Sequence, residues 1–143
     1  MKAIVLEQGQ GEEVQFLDND LRLKTRPADG TAWCAIEAVL PAGSHTPFHR
    51  HHDEDEAWYV LEGKVTFFLE GGRTVTAGRG TYVHAPKGVA HGFRVDEAVR
   101  MLVICGPNGF GEFAREASGP PDMAKLEAAA KKYNVDLLGP LPA

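Results

Sequence analysis

The chain has 143 residues, with a hydrophobic fraction of 43%, a charged fraction of 24% and a net charge of −5. That length predicts one domain, 1–143, able to bury a core without staples, and the acidic balance without a basic cluster argues against nucleic acid. No apolar run reaches the roughly 20 residues of a membrane helix, and the N-terminus turns acidic at Glu7, too soon for a secretory signal.

In chain order, Ile4-Val5-Leu6, Val14-Gln15-Phe16-Leu17 and Leu21-Arg22-Leu23 read as short strands, parted by Gly9-Gln10-Gly11 and Asp18-Asn19-Asp20. Arg26 to Gly30 is a turn, and Trp33 to Leu40 an eight-residue strand that ends at Pro41-Ala42-Gly43. A loop rich in histidine and acid follows. Ala57 to Leu61 is expected as a strand closed by Glu62-Gly63, with Lys64 to Glu70 as its antiparallel partner and Gly71-Gly72 as a hairpin end. Arg73 to Ala77 and Thr81 to Ala85 follow, the latter running into the turn Pro86-Lys87-Gly88. Val89 to Val95 and Val99 to Ile104 are expected as a second hairpin around Asp96-Glu97. Short strands with glycines at the corners predict a barrel or sandwich rather than an α/β layer fold. Cys34 and Cys105 stand among apolar strand residues and read as reduced packing residues of a cytoplasmic protein.

After Cys105-Gly106-Pro107 the periodicity changes. Phe110, Phe113, Ala114 and Ala117 share one helical face, and Ser118-Gly119-Pro120 ends that helix. A longer helix is expected from Pro121-Asp122, with Met123, Leu126, Ala130 and Tyr133 on its apolar face and Asn134 as its left-handed stop. The tail from Val135 to Pro140 is apolar enough to dock on the body. Residues 108–143 are thus expected to form a helical C-terminal cap.

The chemistry is concentrated in Gly43 to Glu56. His49 and His51 are two apart, so on an extended chain they share a face, and Glu56 follows five residues later. His91 lies far downstream in a second Gly/Pro-punctuated segment. Imidazole nitrogens and a carboxylate oxygen suit one divalent transition ion (iron, manganese, nickel, cobalt, copper or zinc) at about 2.0–2.3 Å. Four such ligands leave open positions on a six-coordinate ion, as a catalytic site needs, and the lack of thiolates argues against a structural zinc knot.

The spacing Gly43, five residues, His49-Arg50-His51, four residues, Glu56, six residues, Gly63 resembles the first motif of the cupin superfamily. Gly80, five residues, Pro86-Lys87-Gly88, two residues, His91 resembles the second, sixteen residues on. Motif two spans 80–95 and ends on Val95, where the family often has asparagine. The resemblance implies an all-β double-stranded β-helix (jelly-roll) barrel with His49, His51, Glu56 and His91 as metal ligands. Phe48 to Gly63, and the tail from Gly109 to Pro140, are similar to quercetin 2,3-dioxygenase-like monocupins. Cupins commonly pair through sheet edges, which implies a homodimer.

Not every polar side chain in the run joins the ligand set. His52 has opposite parity to His51, and His45 lies in the preceding loop. His84 shares a face with Tyr82 and is the candidate to support a ligand from behind. Asp53, Glu54 and Asp55 are expected as an exposed rim that could bond a ligand histidine. Phe48, Trp58, Phe67, Phe93 and Met101 are the candidates for the barrel lining. Phe48, Trp58 and Phe93 are the expected substrate-pocket residues, Trp58 and Phe93 by their parity with Glu56 and His91. Such a cavity suits a flat, apolar or aromatic substrate. A dioxygenase that uses O₂, with Glu56 as general base, is the leading expectation. A Lewis-acid isomerase, lyase or cyclase and a non-catalytic small-molecule binding protein are the alternatives.

Overall fold

The computed structural model describes residues 2–17, 19–107 and 109–142. Asp18 of the expected turn Asp18-Asn19-Asp20, and Asn108 and Ala143 at the ends of the expected cap, lie outside the described residues. The strands are β1 (Glu12–Phe16), β2 (Asn19–Leu23), β3 (Cys34–Leu40), β4 (Phe48–His51), β5 (Asp55–Leu69), β6 (Arg73–Ala77), β7 (Tyr82–Ala85), β8 (His91–Gly106) and β9 (Val135–Gly139). Two helices, α1 (Phe110–Glu116) and α2 (Met123–Lys132), lie between β8 and β9.

The architecture rests on two long strands. β5 and β8 pair antiparallel from Asp55–Gly106 to Leu69–His91, and they run through both halves of one curled sheet. In the first half the order is β1-β2-β3-β8-β5-β7, with Cys34 opposite Cys105 and Glu56 opposite both Cys105 and Ala85. In the second it is β9-β4-β8-β5-β6, with His49 opposite His91 and Val65 opposite Ala77. Inward residues of the two halves, among them Ile36, Trp58, Val60, Phe67, Val95 and Met101, are almost fully buried between them. This is the expected all-β jelly-roll barrel.

Four local expectations are corrected. Residues 57–61 and 64–70 do not form a hairpin; 57–61 and 64–69 are consecutive parts of β5. Gly63, at φ +88°, sits in a stretch of shifted register that bends the strand without reversing it. Likewise Asp96-Glu97 lies inside β8, where Asp96 accepts a hydrogen bond from the Thr66 hydroxyl of β5. Each half of β5 thus finds its partner in β8.

The other two corrections are at the ends of the chain. Ile4-Val5-Leu6 joins no strand and is exposed. Its segment is anchored further along, by the Gly9 amide on Glu37 at 2.8 Å and by Lys24 Nζ on the Glu7 carbonyl at 2.9 Å. The tail does not merely dock; it adds strand β9 beside β4. Asn134, at φ +58°, ends α2 in the left-handed conformation and turns the chain into that strand. Asp122 caps the start of α2 by accepting from the Lys125 amide. Among the described residues no helix is long and apolar enough to cross a membrane.

Gly63 cannot be replaced without moving backbone. A Cβ there would lie 2.1 Å from the Ala98 carbonyl oxygen and 2.7 Å from Val99 Cα. Gly63→Ala is therefore expected to destabilise the fold by about 3 kcal/mol or more. A urea unfolding midpoint within error of wild type would contradict this account of the bend.

Candidate metal centre

Three strands bring the four candidate ligands to one point. β4 carries His49 and His51, β5 opens with Glu56 as its second residue, and β8 opens with His91. One donor atom from each of His49, His51, Glu56 and His91 lies within 4.8 Å of the others. Donors about 2.0–2.2 Å from a common ion would be spaced on that scale. His91 Nε2 is 3.0 Å from Glu56 Oε1, and His51 Nε2 is 3.5 Å from the same oxygen.

Backbone carbonyls orient two of the rings. His49 Nδ1 lies 2.7 Å from the Pro47 carbonyl oxygen and His91 Nδ1 3.0 Å from that of Val89, each two residues back. With Nδ1–H donated there, Nε2 is left with its lone pair toward the cluster. His51 Nε2 is buried with no hydrogen-bond partner. A buried ring nitrogen without a partner, aimed at a carboxylate and two other imidazoles, fits a metal ligand.

The electrostatics agree with that fit. Burial, then the charges of His91 and His51, lower the His49 pKa to about 3. Burial also lowers His51, so both rings are neutral near pH 7. Burial would raise Glu56, but the His91 hydrogen bond and the surrounding imidazoles outweigh it and hold the carboxyl at about 2. The same pair raises His91 above its ordinary value against the effect of burial. The ionised Glu56 and the neutral rings of His49 and His51 are in the protonation state that binds a divalent cation, and His91 would release its proton on binding one.

The strand that carries two of the candidate ligands is only four residues long, and its ladder comes mostly from the tail. His49 pairs with Leu137 and His51 with Val135 of β9. On the outer face Arg50 bonds the Gly88 carbonyl and Glu70, and His52 Nε2 meets Asp136 at 2.6 Å. From above, α1 sets Phe110 and Phe113 against the His51 ring, with centroids at 5.6 and 6.5 Å.

Beside the cluster is a cavity of about 60 Å³ whose walls include His49, Glu56, Trp58, Phe93, Met101, Phe110 and Phe113. Of the expected pocket residues, Trp58 and Phe93 are in its wall. Phe48 is not: it neighbours His49 in β4, so the pleat turns it to the other side, and it is half-buried. Phe67 is buried in the core behind Trp58. His84 is exposed together with Tyr82, while Val83 and Ala85 face inward, so it supports no ligand. His45 is exposed, as expected of a loop residue.

The acidic rim also needs correction. Asp53 and Asp55 are exposed, but Glu54 is buried and accepts the Phe110 amide at 3.0 Å, tying the start of α1 to the edge of the site. Neither ligand ring with a fixed Nδ1 uses this rim, since both bond backbone carbonyls. Glu54 has the parity of Glu56, and that was the available signal for its burial. Asn19 and Thr46 also line the cavity and had no such signal. Cys34 and Cys105 are both buried and unbridged, and burial raises both thiols.

The cupin domain family matches residues 36–105, from β3 to the end of β8, and so includes both motifs and all four candidate ligands. This chain carries a cupin domain. Quercetin 2,3-dioxygenase of Bacillus subtilis (strain 168) is 27% identical over 119 residues, which are 81% of this chain and 35% of that protein. The cupin chain thus spans about a third of that relative's length. Among solved structures, an RmlC-like cupin protein from Desulfovibrio desulfuricans is 26% identical at a TM-score of 0.57, over 76% of this chain and 99% of its own. Ectoine synthase from P. lautus superimposes over 98% of this chain and 94% of its own at a TM-score of 0.67 and 17% identity, a likeness of fold alone.

Glu54 makes this cupin's stability depend on pH. Burial raises its carboxyl to about 7, against the pull of the Phe110 and Gly109 amides. Because the folded value exceeds the ordinary one near 4.5, the neutral form's stabilisation is complete below about pH 4.5 and is lost as pH rises through 7. Glu54→Gln keeps an acceptor for the Phe110 amide without titrating. In urea melts of metal-stripped protein, the variant is expected to gain about 2 kcal/mol on wild type between pH 5 and pH 8. A difference that does not change with pH would contradict the assignment.

Proposed function

We propose that this cupin is a metal-dependent dioxygenase of the quercetinase-like type, acting on an aromatic or otherwise enolisable small molecule. The observation that carries the reading is that His49 and Glu56 form part of the wall of a largely apolar cavity. One divalent transition ion, drawn from iron, manganese, nickel, cobalt, copper or zinc, suits the nitrogen and oxygen donors. When bound it would supply Lewis-acid polarisation of a substrate oxygen and access to O₂ chemistry.

The protein's own groups do the rest. His49, His51 and His91 hold the ion through Nε2, their rings set by the backbone carbonyls and by packing against Phe110, Phe113 and Trp58. Glu56 accepts the substrate's hydroxyl proton at Oε2, since Oε1 faces His91 and His51. Trp58, Phe93 and Met101 orient a flat substrate and exclude water. The cavity is smaller than the roughly 300 Å³ of common ligand sites. A three-ring substrate therefore displaces Phe110, Phe113 and Leu126, the residues of α1 and α2 in the wall, as it is admitted. The reading takes 1–143 as one domain that works as a homodimer.

Metal-loaded protein is expected to consume O₂ with at least one member of a panel of flavonols and other enolisable aromatics. Glu56→Gln is expected to slow that reaction about 10²–10⁴-fold. O₂ uptake indistinguishable from buffer across the panel would reject the dioxygenase reading, and turnover of the same compounds without O₂ would point to Lewis-acid chemistry.

A further inference from the structure

The cavity contains one polar side chain that neither the fold nor the metal centre uses. Asn19, the first residue of β2, is only 6% exposed and faces the cavity among Phe16, Leu21 and Leu40. Among the described residues its side-chain amide makes no hydrogen bond, and it opens onto the cavity rather than being sealed in the wall. An amide that faces an apolar cavity with no protein partner is left to pair with a ligand's polar group, whereas Leu at this position would pack in the wall without needing one. Thr46, on the second half of the sheet, also lines the cavity, but its oxygen accepts the Phe93 amide at 3.1 Å and is accounted for.

The register places Asn19 far from the metal ligands. Asp20 pairs with Val39, so Asn19 is level with Leu40, whereas Glu56 is level with Cys105 and Cys34. Cys34 and Leu40 are six residues apart on β3, about 20 Å at 3.3 Å per residue. β2 and β5 are three strand spacings apart, about 14 Å, so a flat sheet would put the two Cα atoms about 24 Å from each other, and curling shortens this. Side-chain reach, a metal–ligand bond and a hydrogen bond take up about half, which leaves roughly 10 Å for a ligand between them.

We infer that Asn19 is a substrate-binding residue that reads a hydrogen-bonding group at the end of the ligand remote from the metal. The ligand class is an elongated, mostly apolar molecule with chelating oxygens at one end and a hydroxyl or carbonyl roughly 10 Å away. This rests on the proposed metal-dependent chemistry. The amide can donate to a carbonyl or accept from a hydroxyl, and a ligand without that group leaves it unpaired.

The test is a binding titration of metal-loaded, full-length protein with 3-hydroxyflavone and 3,4′-dihydroxyflavone, followed by tryptophan fluorescence. The two share the chelating 3-hydroxy-4-ketone and differ by one hydroxyl at the far end. Wild type is expected to bind the dihydroxy compound about tenfold tighter. Asn19→Leu and Asn19→Ala are each expected to bring the ratio to about one by weakening only the dihydroxy compound. Equal affinities in wild type, or a preference that survives both substitutions, would overturn the inference while leaving the metal reading intact. No binding of either compound would overturn the ligand class. Binding of both that is indifferent to stripping the metal would overturn the underlying reading, and the inference with it.

Discussion

The structure depends on holding a buried carboxylate against three imidazoles contributed by two other strands. Glu56 is 6% exposed, and without partners a charge so placed would neutralise instead of staying ionised. His91 and His51 keep it charged, and their own orientation depends on register. His49 must lie opposite His91 and Glu56 opposite Cys105 for the donor atoms to meet. A slip of one residue in either pairing would turn the side chains to the outer face.

The long strands β5 and β8 are what make that register hard to change. They pair along almost their whole length and bend together from one half of the sheet to the other. Gly63 permits the bend in β5 because it tolerates the positive φ and, lacking a Cβ, leaves room for the Ala98–Val99 backbone. The C-terminal segment then completes the site: β9 supplies the ladder for β4, α1 covers His51, and Leu126 of α2 joins the cavity wall. A segment outside the barrel proper thus serves both the strand that carries two of the candidate ligands and the roof of the cavity. Glu54 joins these two roles, since it stands two residues before Glu56 and holds the Phe110 amide.

The fold class was legible in the sequence because glycine-punctuated strands and two widely spaced motifs point to the same barrel. The grouping of His49, His51, Glu56 and His91 was legible from spacing and from the family resemblance. Strand continuity was not. Glu62-Gly63 and Asp96-Glu97 have the composition of turns, yet each sits within a strand because the partner strand bends with it. Ile4-Val5-Leu6 has strand composition but no neighbour to pair with. Phe48 was placed in the pocket as an aromatic of the motif, whereas its opposite parity to His49 turns it away. Glu54 was read as one more acid of a solvated run, and its burial depends on α1, more than fifty residues later. Asn19 sat in an apparent turn, and its inward direction follows only from the β2–β3 register.

The most direct test of the account is the metal itself. Elemental analysis of protein purified without added chelator is expected to find about one equivalent of a divalent transition metal per chain. The His49→Ala, His51→Ala double variant, folded by circular dichroism, is expected to hold essentially none. Full metal content in that folded double variant would contradict the account.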